Sequence, residues 1–355
     1  VITQNLEISE SSVKLNEVRI SDERSEMKTE VKAAVIKITK QDMEMIPTIG
    51  GEPDLAQYLQ VIPGVVFTGD QGGQLYIRGG SPIQNKVLLD GMTIYNPFHS
   101  IGFFSVFDID IMRSADIYTG GFSAKYGGRI SSIMDITTID GNKKRHKGKI
   151  SVNPFGSKLK IEGPIKKLNE ENNNSTASYI FSGKTSYLEQ TSKKLYSYID
   201  SNGLPFNFTD LYGKVTFNGE GGSKFSAFGF NNRDSVNYSV ADLDWNASGG
   251  GINFTLVPSS SPIFIRGHVN GSNYETTFQE IGQEPRYSKI GGFDLGFDFT
   301  FFQKNESELN YGFNLSGFNT QFITYNELSR KIEASNFTTE IGTYVNYRLV
   351  TPRWV

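Results

Sequence analysis

Residues 74–94 read QLYIRGGSPIQNKVLLDGMTI, and the rest of the chain can be read outward from them. Two short apolar runs, 75–77 and 87–89, have the aliphatic and β-branched make-up of strands, with Gly, Pro and Asn between them. Asp90-Gly91 supplies the positive φ angles of a type I′ turn, so residues 87–94 are expected to form a hairpin with Met92-Thr93-Ile94 as its return arm. Ahead of the hairpin, Arg78-Gly79-Gly80 sets a guanidinium beside two residues without side chains, where backbone or a neighbouring wall can approach closely. Such a stretch suits a compact unit packed inside something larger.

Six segments follow in order around it: IRGG at 77–80, LLDG at 88–91, YNPFH at 95–99, FFSVF at 103–107, TGGFSAKYGGR at 119–129 and SSIMDITT at 131–138. Together they resemble the plug domain of TonB-dependent outer-membrane receptors, and more narrowly the SusC-like and carboxypeptidase-regulatory-like branch of that family. The resemblance is strong over residues 46–138 and architectural beyond them. It implies a plug signature made of Arg78, Gly79, Gly80, Asp90, Gly91, Gly120, Gly121, Tyr126, Gly127, Gly128 and Arg129. The glycines serve turns and close packing, and Arg78 and Arg129 are expected to bridge to carboxylates on a barrel wall. Tyr95, Asn96 and His99, just past the hairpin, are candidates to face the ligand.

Toward the N-terminus, residues 13–20 alternate apolar and polar as a short strand would. Two readings stand side by side: an edge strand, or a TonB box at Glu17, Val18, Arg19 and Ile20, as the resemblance implies. A periplasmic energy transducer would pair with such a box by adding a strand, which relies on main-chain hydrogen bonds. Thr39 is placed to cap a helix with Asp42 in its first turn, and Pro47 stops it. A second helix opens at Glu52-Pro53-Asp54 and ends at Pro63-Gly64. Strands are expected at 116–118 and 130–136, joined by the glycine-rich 119–128. The division is then an N-terminal segment over 1–45, an α+β plug over 46–142 and a barrel portion over 143–355.

Beyond residue 142 the pattern changes. Phe293, Leu295, Phe297, Phe299 and Phe301 alternate with Asp294, Gly296, Asp298 and Thr300, and Leu309, Tyr311, Phe313 and Leu315 alternate with Asn310, Gly312, Asn314 and Ser316. A soluble sandwich would alternate as well. Periodic segments of roughly nine to eleven residues, with a polar second face, instead match strands that cross a bilayer at a tilt and close around a wet interior. About ten such segments are present, whereas barrels wide enough for a plug have about 22 strands. The expectation is an antiparallel membrane β-barrel, partial here, with the plug in its lumen.

Composition fits this reading and narrows the function. There are 26 Phe, 17 Tyr and 37 Gly, a net charge of −3 and no cysteine, so a nucleic-acid stripe, a disulfide framework and a thiolate site are excluded. The basic run at 143–147 reads as a linker at a membrane rim. No apolar run reaches the length of a transmembrane helix. No signal peptide opens the chain, which for an outer-membrane protein implies a processed N-terminus. Gly183-Lys184-Thr185-Ser186 looks like the end of a P-loop, but Ser178 stands where a glycine is required. Asp108 and Asp110 lack a calcium-loop continuation, and His99, His146 and His268 lack zinc spacing. Neither an enzyme nor a metal or cofactor site is expected. The resemblance implies an importer of a bulky or scarce ligand (glycan, peptide or siderophore) in a Gram-negative outer membrane. Its partners would be a TonB-type transducer and a SusD-like surface lipoprotein or larger assembly. The alternative is a non-transporting, structural plugged barrel in a larger outer-membrane complex.

Overall fold

The computed structural model describes residues 35–68, 73–100, 102, 104–167, 175–198, 201–258, 261–303, 307–326 and 328–350; Glu17, Val18, Arg19 and Ile20 lie outside them. Two short helices form where the sequence caps them. Thr39 caps α1 (Lys40–Glu44) in a reciprocal box, its Oγ1 accepting from the Asp42 amide while Asp42 Oδ2 accepts from the Thr39 amide at 2.8 Å. Asp54 caps α2 (Leu55–Leu59), accepting from the Ala56 amide at 2.8 Å.

Around these helices lie β1 (Val35–Ile38), β2 (Val65–Thr68), β3 (Gln74–Ile77), β4 (Asn85–Leu89), β5 (Met92–Thr93), β6 (Met112–Tyr118) and β7 (Ser132–Thr138). Five of them make a sheet in the order β1-β6-β7-β4-β5, antiparallel except for the parallel β4–β7 pair, while β2 and β3 form a separate hairpin. The Asp90-Gly91 turn has φ of 49° and 85°, and Leu89 pairs with Met92, as a type I′ hairpin requires. Ile38, Met43, Leu55, Leu59, Ile77, Met92, Ile117 and Ile136 are fully buried in an apolar core that fills this unit and continues onto Ile180, Tyr212, Phe228, Phe230 and Ala247 of the wall described next. The boundary expected between residues 45 and 46 falls after two packed elements. β1 is already a strand of this sheet, with Val35 opposite Tyr118 and Ile38 opposite Ala115. Four residues in charged surroundings are too few for their alternation to stand out.

The second unit is a wall of ten consecutive antiparallel strands: β8 (Lys147–Val152), β9 (Gly156–Lys166), β10 (Thr176–Ser186), β11 (Phe206–Asn218), β12 (Lys224–Asn237), β13 (Ala241–Leu256), β14 (Ile263–Glu280), β15 (Arg286–Phe302), β16 (Glu308–Tyr325) and β17 (Lys331–Arg348). A helix, α3 (Leu188–Leu195), lies in the β10–β11 connection. The wall is built inside out. One row across the register, Val215, Ala227, Ile252, Val269, Leu295, Leu315 and Ile341, is apolar throughout. The next row contains Lys214, Asn270, Asp294, Ser316 and Glu340. Val269 of the first row is 49% exposed and Asn270 of the second only 3%. A face that exposes its aliphatic and aromatic side chains in rows is built for lipid, because water would penalise that area continuously.

Strand length departs from the expectation of nine to eleven residues, since β13 to β17 run from 16 to 18. Apolar alternation marks only the part of a strand that meets lipid, whereas ladder hydrogen bonds continue wherever the neighbour continues. β15 shows this directly: its outward positions are Phe at 293, 297, 299 and 301 but Tyr287 and Lys289 toward its start. Among the described residues no helix is long and apolar enough to cross a membrane.

Candidate functional site at the seam between the two units

The polar face of the wall meets the inner unit through three clusters of charge. The first is centred on His99, which is fully buried in the loop after the hairpin. Its Nε2 lies 2.9 Å from Asp210 on β11, and its Nδ1 lies 2.9 Å from Asp234 on β12. The ring stacks on Phe208 with centroids 3.7 Å apart. Ser100 adds two bonds to Asp234, from its amide at 3.0 Å and its hydroxyl at 2.6 Å. Lys184 lies 3.2 Å from Asp210 and donates to the Ser105 carbonyl at 2.6 Å.

Asp110 anchors the second cluster. Lys40 from α1 reaches it at 2.5 Å, Lys149 from β8 at 2.8 Å and Lys158 from β9 at 2.7 Å. Burial by itself would raise this carboxyl, but hydrogen bonds from the three lysines outweigh it and hold the group well below the usual carboxylate range. Lys158 also meets Glu52 at 2.9 Å and Asp108 at 3.4 Å, and Ser182 donates to Asp108 at 2.5 Å.

In the third, the turn residue Asp90 faces the wall. Its carboxylate accepts from the Thr138 amide at 3.0 Å, the Thr138 hydroxyl at 2.6 Å and the Tyr212 hydroxyl at 2.5 Å, with Lys214 3.5 Å away. Asn253 of β13 donates to the Asp90 carbonyl at 2.6 Å. Asp140, just past β7, takes Lys224 at 2.9 Å and Lys214 at 3.6 Å. Further along the seam Lys125 lies 3.4 Å from Asp298.

The sequence candidates fall out unevenly. Asp90 and Gly91 form both the turn and a wall contact. His99, expected to face a ligand, is instead sealed between two wall carboxylates, Asp234 at its Nδ1 and Asp210 at its Nε2. Asn96 donates to the Tyr274 hydroxyl at 3.4 Å, and Tyr95 reaches Ser272, so these two also meet the wall. Arg78 is exposed, with a φ of 47° and its amide donated to Gly64. Arg129 donates to the Gly128 carbonyl, and neither arginine makes an ion pair among the described residues. The wall bridges expected of them are made by Lys125 and Asp90. Tyr126 donates to Asp135 at 2.8 Å inside the inner unit. Gly80 lies against the Ser131 side chain, so a Cβ there would collide with it, whereas Gly79, Gly121 and Gly127 face open space. Gly120 is exposed and Gly128 has a φ of 78°.

Sequence reasoning missed Asp110, Lys158, Asp210, Lys214 and Asp234. In β11 the buried positions are Phe208, Asp210, Tyr212, Lys214 and Thr216, which mix aromatic with charged residues. Burial there has a period of two, but hydrophobicity does not. Charged residues recurring at one parity between aromatic ones were the available signal. No group of three metal-ligating side chains occurs among the described residues.

The seam thus joins a small α+β unit by charge to the polar face of an inside-out antiparallel wall. Residues 27–132 match the TonB-dependent Receptor Plug Domain. Among curated proteins none matches the chain. Solved structures place plug and wall together in the same fold. The alcaligin outer-membrane receptor FauA from Bordetella pertussis aligns with a TM-score of 0.65 at 13% identity, over 91% of this chain and 53% of that one. FpvA from P. aeruginosa, bound to a heterologous pyoverdine, aligns at 0.62 and 11%, over 91% and 50%. The siderophore receptor PirA from Pseudomonas aeruginosa aligns at 0.57 and 15%, over 88% and 54%. The chain therefore spans about half the length of the receptors it matches. At these identities the likeness is one of fold, a plug seated against a TonB-dependent receptor's barrel wall.

Proposed function

We propose that this chain supplies the plug and ten wall strands of a Gram-negative outer-membrane receptor that imports a bulky or scarce ligand by energised remodelling of the plug. The observation that carries this reading is the chemistry of the seam. Around the apolar patch that Ile180, Phe228, Phe230 and Ala247 share with its core, the plug meets the wall through ion pairs and hydrogen bonds. An apolar seam would resist separation in proportion to its buried area, whereas charged groups can exchange their partners for water as the plug moves. Wall and plug do no chemistry on the cargo. Solved relatives are named for siderophores, for iron or for copper, which supports a metal, free or chelated, as cargo. The SusC-like motifs support a glycan or peptide held beneath a SusD-like lipoprotein lid.

A TonB-type transducer would add a strand at Glu17, Val18, Arg19 and Ile20. Binding of the purified periplasmic domain of TonB to wild type and to Val18→Pro tests this directly, since proline removes a backbone donor from the pairing. Binding lost in the variant supports the importer. Absence of binding in either protein supports the second reading, a non-transporting barrel in a larger complex.

A further inference from the structure

The His99 cluster has a proton count that its geometry fixes. Asp234 Oδ2 faces His99 Nδ1 at 2.9 Å and accepts from the Ser100 amide, and Asp234 Oδ1 accepts from the Ser100 hydroxyl. Asp210 Oδ2 faces His99 Nε2 and the Lys184 ammonium, and Asp210 Oδ1 accepts from the Asn232 amide at 2.7 Å. Every carboxylate oxygen is already met by a donor, so both acids are ionised acceptors. A neutral imidazole has one N–H and would turn a lone pair toward one of them. Both nitrogens must donate, and the ring is an imidazolium.

That cation sits in a closed loop of the plug. Phe98 and Ser105 form a bridge across it, the His99 amide donates to the Phe104 carbonyl at 2.9 Å, and the Gly102 amide donates to the His99 carbonyl at 2.9 Å. The Val106 amide donates to the Pro97 carbonyl at 3.0 Å, so the described residues of this loop close on themselves, with His99 and Ser100 held on two neighbouring wall strands. We propose that His99 is a proton-bound latch: its second ring proton holds the 97–106 loop on β11 and β12, and release of the loop returns that proton to water. The proposal concerns docking of the loop and stands whether or not the receptor transports.

The charged and titratable groups facing the ring are Asp210 from β11, Asp234 from β12 and Lys184 from β10. Behind them lie Asp54 at the α2 cap, which feels Lys184, and Tyr274 on β14, which feels Asp234. Burial pushes His99 down, but the two aspartates outweigh both burial and Lys184 and leave it above the ordinary imidazole value. The latch is therefore complete below the free imidazole value of about 6.5 and weakens as pH rises toward the docked value. Between the two, loop docking should fall about tenfold per pH unit.

The full chain in micelles has only three histidines, so ring nitrogen-15 NMR can follow each, with His99→Gln assigning the signal. The expected result is a doubly protonated His99 ring at and just above pH 6.5, where a free imidazole is already half neutral, and a neutral tautomer as abundant as in a free imidazole would overturn the latch. Hydrogen exchange of the His99, Gly102 and Val106 amides as pH rises from 6.5 toward the docked value, corrected for intrinsic base catalysis, gives an independent reading. Wild type should lose about tenfold protection per pH unit, and His99→Gln should lose protection without that slope. A flat wild-type profile also overturns the proposal, and the wild-type measurements decide it even if the variant fails to assemble.

Discussion

Plug and wall are both mainly β, yet they place their polarity in opposite senses. In the plug, Ile117 and Ile136 are inside and Lys40 is half exposed, the arrangement of any water-soluble domain. In the wall, Asn270 and Asp234 are inside while Phe293, Phe313 and Ile341 are outside. The two meet along charge and along an apolar patch in which Ile180, Phe228, Phe230 and Ala247 of the wall join the plug's core. Burial therefore carries a different meaning on each side of the seam: loss of water for the plug's apolar core, and capture of hydrated groups for the wall.

That contrast can be broken at four points, in falling order of expected effect. Ile136→Ala empties a fully buried position in the plug sheet and should cost about 4 kcal/mol of plug stability. Hydrogen exchange of β6 and β7 amides should then speed up by roughly a thousandfold while β14 and β15 keep their protection; equal loss in the wall would mean that the plug has no core of its own. Asp110→Ala removes the shared acceptor of Lys40, Lys149 and Lys158 and should cost about 3 kcal/mol. This lies at the low end for breaking a buried pair, because Lys158 keeps Glu52 and Asp108. Denaturant release of the plug from the wall would report it. Because Asp110 titrates below the ordinary range, its contribution is present above that range and is lost only as pH falls through its depressed value, so docking should persist through pH 4 in wild type.

Phe297→Arg places a cation among outward Phe residues and should lower folding stability in lipid vesicles by about 2–4 kcal/mol if this position lies near the bilayer midplane. An unchanged value in lipid would contradict a membrane-facing wall and favour a soluble sheet. Lys331→Ala, at the exposed start of β17, breaks a fully solvated pair with Glu333 and should leave the melting temperature unchanged within error. A measurable drop would show that this edge is covered by something.

Much of the fold was legible where local rules suffice. The Asp90-Gly91 hairpin, the Thr39 and Asp54 caps and the alternation of β15 and β16 are short-range patterns, each set by backbone preferences or by one repeating period. The seam was not legible for the same reason. His99 meets Asp210 and Asp234 across 111 and 135 residues of chain, and Asp110 gathers lysines from α1, β8 and β9. Nothing near these residues in sequence distinguishes an anchoring aspartate from a solvated one. Arg78 and Arg129 show the converse, since motif position marked them for the wall while the fold gave that contact to Lys125 and Asp90.

The sequence by itself determined an α+β plug with glycine-rich turns and a wall of alternating antiparallel strands, because hairpins, caps and face periodicity are written in neighbouring residues. Only the tertiary structure decided which charges meet, how far the strands run past their apolar bands, and that His99 lies between two aspartates. Those depend on register between distant strands and on the number of donors converging on each carboxylate, quantities that exist only once plug and wall are packed together.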